Sequence, residues 1–79
     1  MTGHDERLIR CFRATFPELA VEELSEASAA TLEAWDSLHA VVLIAVLEET
    51  FELRIAPEDY PALRSYASVQ DYLRSAHVL

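Results

Sequence analysis

Residues 35–53 read WDSLHAVVLIAVLEETFEL, and this stretch decides the fold. It contains neither glycine nor proline, and aspartate and serine are residue types favoured at the start of a helix. We therefore predict a helix that begins at Asp36-Ser37 and ends at about Phe51 or Leu53. The side chains that share one arc of its helical wheel, and so predict the core-facing side, are Ala40, Leu43, Ile44, Leu47 and Phe51.

The same helix carries a second apolar stripe on its opposite side. The members of this stripe are Leu38, Val41, Val42 and Ala45. The polar residues on that side are Ser37, Glu48, Glu49 and Glu52. Because carboxylates are not buried without partners, we predict that this side faces solvent. Exposed apolar residues rimmed by charge are typical of a docking surface, here predicted from Leu38, Val41, Val42, Ala45, Glu48 and Glu49. The alternative is a central helix buried on nearly all sides.

Helical patterns also cover much of the sequence before this helix, and the whole chain holds only one glycine and three prolines. The spacing of apolar residues predicts a first helix from about Asp5 to Phe16. Pro17 ends it, because proline cannot donate the next backbone hydrogen bond. Residues 17–35 show weaker periodicity, so we predict a long first loop held by scattered apolar residues, with Trp35 as a packing residue.

Two further helical segments follow the long helix. Pro57 predicts a short helical turn over Pro57–Ala62, because proline suits the first position of a helix. A last helix is predicted from Ser68 to about Ala76, with Asp71 completing a weak capping box. The residues of its predicted buried stripe are Val69, Tyr72, Leu73 and Ala76. The predicted fold class is therefore all-α: one domain over residues 1–79, a four-helix bundle with three longer helices, one short third helix and a long first loop.

The chain is strongly acidic. Fourteen acidic residues against six arginines and no lysine give a net charge of −8. This charge argues against nucleic acid and anionic membrane surfaces as partners, because both bind cationic proteins. Nine of the fourteen acids lie between Arg13 and Arg54. The long loop and long helix therefore carry a negative field suited to basic patches on partner proteins.

Length and cysteine content narrow the class of protein further. The longest apolar run, Ala40 to Leu47, has eight residues, whereas about 20 are needed to span a bilayer. The N-terminal MTGHDERLIR lacks the apolar region of a signal peptide, so we expect a cytoplasmic protein. The lone Cys11 is expected to be a small buried or half-buried residue, and the spacing of cysteine and histidine predicts no metal site.

The run Trp35-Asp36-Ser37-Leu38, with VVLIAVLEETFELRI beginning at Val41, resembles the signature of acyl carrier proteins. The resemblance covers essentially the whole chain. It includes the long first loop, the glutamate pair before Phe51, the short third helix and an S-V-Q start to the last helix at residues 68–70. The WDSL form is more similar to discrete carriers of specialised pathways, including polyketide assembly and dedicated acyl or aminoacyl transfer. We therefore expect a free-standing carrier.

The resemblance implies a chemistry for Ser37. In that family the serine hydroxyl carries 4′-phosphopantetheine, which a phosphopantetheinyl transferase attaches from coenzyme A. The resemblance also implies that Asp36 helps the transferase hold its metal and present the serine. The thiol of the arm then carries acyl groups as thioesters between enzymes, so the protein itself is expected not to be an enzyme. The implied partners are the transferase and acyl-loading, acyl-transfer or condensing enzymes with basic docking patches, and we expect a monomer.

The chain departs from the family at a few positions. Carriers of primary fatty-acid synthesis often have acids near the start of the second helix, where this chain has His39 and Val42. The residue before Asp36 is Trp35 rather than a small residue, and the GG-x-S pattern of peptidyl carrier domains is absent. These differences weigh against a housekeeping carrier of fatty-acid synthesis, which stays an alternative.

Other interpretations of the same residues stay open. Asp36 and Ser37 are also an ordinary helix start, with Asp36 as the N-cap. His39 either contacts a partner or the phosphate, or is a solvated helix residue. A non-enzymatic acidic helical adaptor without a prosthetic group has the same fold, charge and exposed stripe. A small enzyme is disfavoured, because the sequence offers no nucleophile–base pair: Ser37 and His39, two residues apart on a helix, point in different directions.

Overall fold

The structure is a computed structural model, and it describes residues 6–79. This part of the chain forms five helices and no strand, so the domain is all-α. The three α-helices are α1 (Glu6–Thr15), α2 (Ser37–Phe51) and α3 (Tyr66–Ser75). Two 3₁₀ helices lie between them, the first at Val21–Glu26 and the second at Pro57–Ala62.

Helix α1 matches its prediction to within one residue at its end. It ends at Thr15, and the Phe16 N–H still donates to the Phe12 carbonyl oxygen at 2.7 Å. The predicted start at Asp5 lies outside the described residues. Leu8, Cys11 and Phe12 are buried, so Cys11 is the small core residue that the sequence predicts.

The first loop contains a helix that the sequence analysis did not predict. Within residues 17–35, Val21–Glu26 form the first 3₁₀ helix. The carboxylate of Glu23 accepts a hydrogen bond from the Ala20 N–H at 3.1 Å, which closes the first turn, and Leu24 is buried beneath it. Only one side chain of this helix enters the core, so it leaves no helical period in the sequence.

The loop then binds to the start of α3. The Ala29 N–H donates to the Arg64 carbonyl oxygen at 2.7 Å, and the Tyr66 N–H donates to the Ala27 carbonyl oxygen at 3.0 Å. These bonds form an isolated antiparallel bridge between Ser28 and Ser65. The long loop is thus fixed at its middle.

Helix α2 begins at Ser37 and ends at Phe51, as predicted. On its predicted core-facing side Leu43, Ile44, Leu47 and Phe51 are buried, and Ala40 is half-buried. Glu52 ends the helix in the left-handed conformation, with φ 53°. The Leu53 N–H then donates to the Glu48 carbonyl oxygen at 3.1 Å, which reverses the chain.

The second 3₁₀ helix has the predicted bounds, but α3 starts earlier than predicted. Its N-cap is Ser65, whose hydroxyl accepts from the Ser68 N–H at 3.0 Å, while Ser68 Oγ accepts from the Ser65 N–H at 3.1 Å. The predicted start at Ser68 and its box with Asp71 are therefore wrong: Ser68 is the third residue of the helix. The earlier start buries Tyr66 together with Val69 and Leu73.

The buried stripe of α3 also differs from the prediction at its end. Ala76 lies beyond the helix and is exposed, and Tyr72 is half-buried. The Tyr72 hydroxyl donates to Asp59 Oδ2 at 3.0 Å, which holds the second 3₁₀ helix against α3. Burial, followed by this hydrogen bond, raises the pKa of Tyr72.

One core joins the three α-helices and the first 3₁₀ helix, and aromatic rings fill its middle; the second 3₁₀ helix buries no side chain. The Phe12 ring contacts Trp35 at 5.7 Å and Tyr66 at 4.9 Å between centroids. Trp35 is 5% exposed and also contacts Phe16 at 5.3 Å, so it anchors the end of the long loop as predicted. Across residues 6–79, no helix has the length and apolar character that crossing a membrane requires.

Candidate functional site

Ser37 is the first residue of α2, and it is exposed. The first backbone N–H groups of a helix have no backbone partner inside the helix, so a side chain at this position lies near such donors, of which Asp36 occupies the one at His39. The first turn of α2 holds no acidic residue. The Ser37 hydroxyl is thus open to solvent and to an approaching enzyme.

Asp36 caps the helix with one of its two carboxylate oxygens. Its Oδ1 accepts from the His39 backbone N–H at 2.9 Å and contacts His39 Nδ1 at 2.9 Å. An ionised carboxylate has no proton to give, so Nδ1 is the donor. The backbone bond from His39 first, and then the ring bond, lower the pKa of Asp36 below its ordinary 3.8. Asp36 is therefore the N-cap of α2.

His39 ties this helix start to the end of α1. Its ring stacks on Phe16, with the ring centroids 5.7 Å apart and an interplanar angle of 20°. The ring is thereby held between an aromatic face and the Asp36 carboxylate. The sequence analysis treated His39 as either solvated or partner-binding, and it missed this internal role. The signal was available: a histidine three residues after an N-cap aspartate can reach its carboxylate.

An open cleft of about 540 Å³ lies beside Ser37. The N-terminus of α2 forms one side, and the second 3₁₀ helix and the residues after it form the other. The lining residues from α2 and the residues just before it are Trp35, Asp36, Ser37 and Ala40. Those from the rest of the chain are Ala29, Tyr60, Pro61, Leu63 and Arg64. A second cleft of about 550 Å³ opens against Phe16 and His39.

The second apolar stripe of α2 lies at the surface. Leu38 is 67% exposed, Val41 61% and Val42 39%. Ala45 and Glu49 are exposed as well. The helix is therefore not buried on all sides, which removes that alternative. That a partner binds these residues stays a prediction.

Glu48 is less exposed than the sequence predicts. It is half-buried, and its Oε2 accepts from the Ile55 backbone N–H at 2.9 Å. Ile55 is 2% exposed, so this carboxylate satisfies a donor in the core. The predicted placement of Glu48 on a solvent-facing surface is therefore wrong in part. The partner is seven residues away, across a chain reversal that helical periodicity does not describe.

No family model, no curated protein and no solved structure matches this chain. Among residues 6–79 there is also no group of three or more His, Cys, Asp or Glu side chains that could hold a metal ion.

The hydrogen bond from the Ile55 N–H to Glu48 can be tested by comparing substitutions at Glu48 and at its neighbour Glu49. Glu48→Ala is expected to lower the free energy of unfolding by about 1–3 kcal/mol, because it leaves the buried Ile55 N–H without an acceptor. Glu49→Ala removes the same charge from an exposed site and is expected to change stability by less than about 0.5 kcal/mol. Urea unfolding measures both, and amide exchange at Ile55 should accelerate only in the first variant. Equal stability of the two variants contradicts this role of Glu48.

The cap at Asp36 gives a pH dependence. Because the folded pKa of Asp36 lies below its ordinary 3.8, its charged form contributes stability that is fully present above that value. The contribution is lost as pH falls through the folded pKa. The stability of the wild type relative to Asp36→Asn should thus decrease between pH 5 and pH 2, as measured by thermal unfolding.

His39→Phe is the matched control for this experiment. It keeps a ring against Phe16 and the backbone N–H bond, but it removes the Nδ1 donor. The stability difference between His39→Phe and the double variant Asp36→Asn/His39→Phe should also change with pH. This change should be smaller than the one between the wild type and Asp36→Asn, without vanishing. If neither stability difference changes with pH, in the wild type or in the His39→Phe background, the capping role of Asp36 is contradicted.

Proposed function

We propose that this chain is a carrier protein of the acyl carrier type, with 4′-phosphopantetheine attached to Ser37 and acyl groups carried as thioesters on the arm. The observation that supports this most is the placement of Ser37: exposed, first in α2, and on the wall of an open cleft. In this proposal the three α-helices and the second 3₁₀ helix correspond to the four helices of the family's bundle. The specialised pathways, including polyketide assembly, are favoured over primary fatty-acid synthesis, because His39 and Val42 stand where carriers of that synthesis often have acids.

The residues around Ser37 suit this attachment. The serine hydroxyl loses its proton as its oxygen forms the new bond to the phosphorus of the pantetheine phosphate. The pyrophosphate bond of coenzyme A breaks, and its nucleotide half leaves with the electron pair of that bond and takes up the proton. The hydroxyl that must attack is accessible, and the free N–H groups of the first turn favour a phosphate ester. Asp36 uses Oδ1 for the cap, and its side chain is 59% exposed. A second oxygen thus stays available for the metal of the transferase.

The partner enzymes are proposed to bind α2 next to this serine. The exposed stripe of Leu38, Val41 and Val42 runs along the helix from Ser37, with the exposed Glu49 farther along. An apolar strip beside carboxylates is complementary to an apolar groove beside basic residues. The transferase and acyl-transfer or condensing enzymes with basic patches are the proposed partners.

An adaptor without a prosthetic group is the second candidate. One observation favours it: the N-cap geometry accounts for Asp36 without any role in attachment. The adaptor uses the same exposed stripe of α2, so the two candidates differ only in the chemistry of Ser37.

Attachment at Ser37 is tested by intact-mass spectrometry. After incubation with coenzyme A, magnesium and a broad-specificity phosphopantetheinyl transferase, the wild type is expected to gain one phosphopantetheine, and Ser37→Ala none. Asp36→Ala is expected to react more slowly. No gain with two different transferases, in a protein whose helical circular dichroism is intact, supports the adaptor instead.

The docking stripe is tested by removing its apolar character. Leu38→Ser/Val41→Ser is expected to slow modification by the transferase, with an unchanged melting temperature, because both side chains are already mostly exposed. Val21→Ser is the matched control: Val21 is 44% exposed but lies on the first 3₁₀ helix and not on the α2 stripe. The three proteins are compared by their initial rates of modification, measured across a range of transferase concentrations. Equal rates for the three proteins would contradict docking on this stripe.

A further inference from the structure

The cleft beside Ser37 contains two charged residues of opposite sign. Asp36 lines it next to Ser37, and Arg64 lines it from the segment between the second 3₁₀ helix and α3. One oxygen of the Asp36 carboxylate, Oδ1, is already engaged, because it accepts two hydrogen bonds from His39. Within residues 6–79 the Arg64 guanidinium has no ion-pair or hydrogen-bond partner. The cleft therefore has one cation whose donors are open to a ligand.

The backbone of Arg64 is held firmly on both sides. Its carbonyl oxygen accepts from the Ala29 N–H at 2.7 Å, and its own N–H donates to Ser68 Oγ at 3.2 Å. These bonds connect it to the first loop and to the capping box of α3. The long side chain is exposed, but it starts from a fixed point on the wall of the cleft. With the backbone already fixed, binding a ligand here costs only the freedom of the side chain and no further ordering of the loop.

A phosphate ester on Ser37 creates an electrostatic problem that Arg64 can solve. The ester adds a negative charge next to Asp36 in a chain whose net charge is already −8. Like charges within a few ångströms repel even near the protein surface. A guanidinium group is suited to this position because its planar donors match two phosphate oxygens.

We propose that Arg64 pairs with the phosphodiester of the group attached to Ser37 and so directs that group into the cleft, along Tyr60, Pro61 and Leu63. This proposal rests on the proposed function. It assigns Arg64 a positioning role: the residue fixes where the arm lies and takes no part in any bond-making step. Tyr60 is 37% exposed and Pro61 is exposed as well, so this wall offers the arm an apolar surface.

The test uses nuclear magnetic resonance of the phosphopantetheinylated protein. Contacts between the Tyr60 ring protons and the methyl protons of the pantetheine arm report the time that the arm spends in the cleft. In Arg64→Gln their intensity should fall about two- to fivefold, the effect of losing one solvent-exposed ion pair. Arg64→Lys should retain part of the intensity. Arg74→Gln is the matched control, because Arg74 is exposed on α3 and lies 4.0 Å from Asp71 rather than in the cleft.

A second measurement needs no variant. In the wild type, attachment should shift the Arg64 Nε–H resonance from its position in the unmodified protein. Raising sodium chloride to about 1 M should reverse this shift, because salt screens an exposed pair. Contacts that are equally strong in Arg64→Gln, or an Arg64 Nε–H signal that attachment leaves in place, overturn the role of Arg64 while the carrier function stands. If Ser37 cannot be modified at all, both proposals fall.

Discussion

Helix α2 has more apolar surface than a chain of 79 residues can cover. Its inner side supplies four buried core residues, yet Leu38 and Val41 on its outer side are 67% and 61% exposed. The helix is therefore part of the core and, at the same time, presents an exposed apolar strip next to Ser37. Such a strip costs solubility unless charge accompanies it, and the exposed Glu49 on the same helix supplies part of that charge. The proposed docking role follows from this excess of apolar residues.

The position of Ser37 depends on where α2 begins, and contacts around Asp36 determine that point. Asp36 accepts from His39, and the His39 ring stacks on Phe16 just beyond α1. Phe16 in turn contacts Trp35, the residue before the cap. The first turn of α2 is thus fixed by the Asp36 carboxylate and by three rings, those of Phe16, Trp35 and His39. A flexible loop could not hold the serine in one place, whereas this arrangement fixes its backbone without covering its hydroxyl.

Sequence periodicity predicts the parts of this fold whose helices bury a full stripe. The bounds of α2 and of the second 3₁₀ helix agree with the prediction, because caps and prolines mark them locally. The first 3₁₀ helix was missed because it buries a single residue, Leu24. The start of α3 was misplaced because two serines three residues apart, Ser65 and Ser68, are both good caps, and only tertiary packing of Tyr66 chooses between them. Glu48 was misassigned because its partner, Ile55, lies beyond the helix end.

The single tryptophan of the chain has a consequence for observing the molecule. Trp35 is 5% exposed, packs between Phe12 and Phe16, and also forms part of the wall of the cleft beside Ser37. Indole fluorescence depends on the polarity and motion of its surroundings, and here all of it comes from one position two residues before Ser37. The protein therefore carries an intrinsic optical reporter of whatever enters or leaves that cleft, with no label to disturb it.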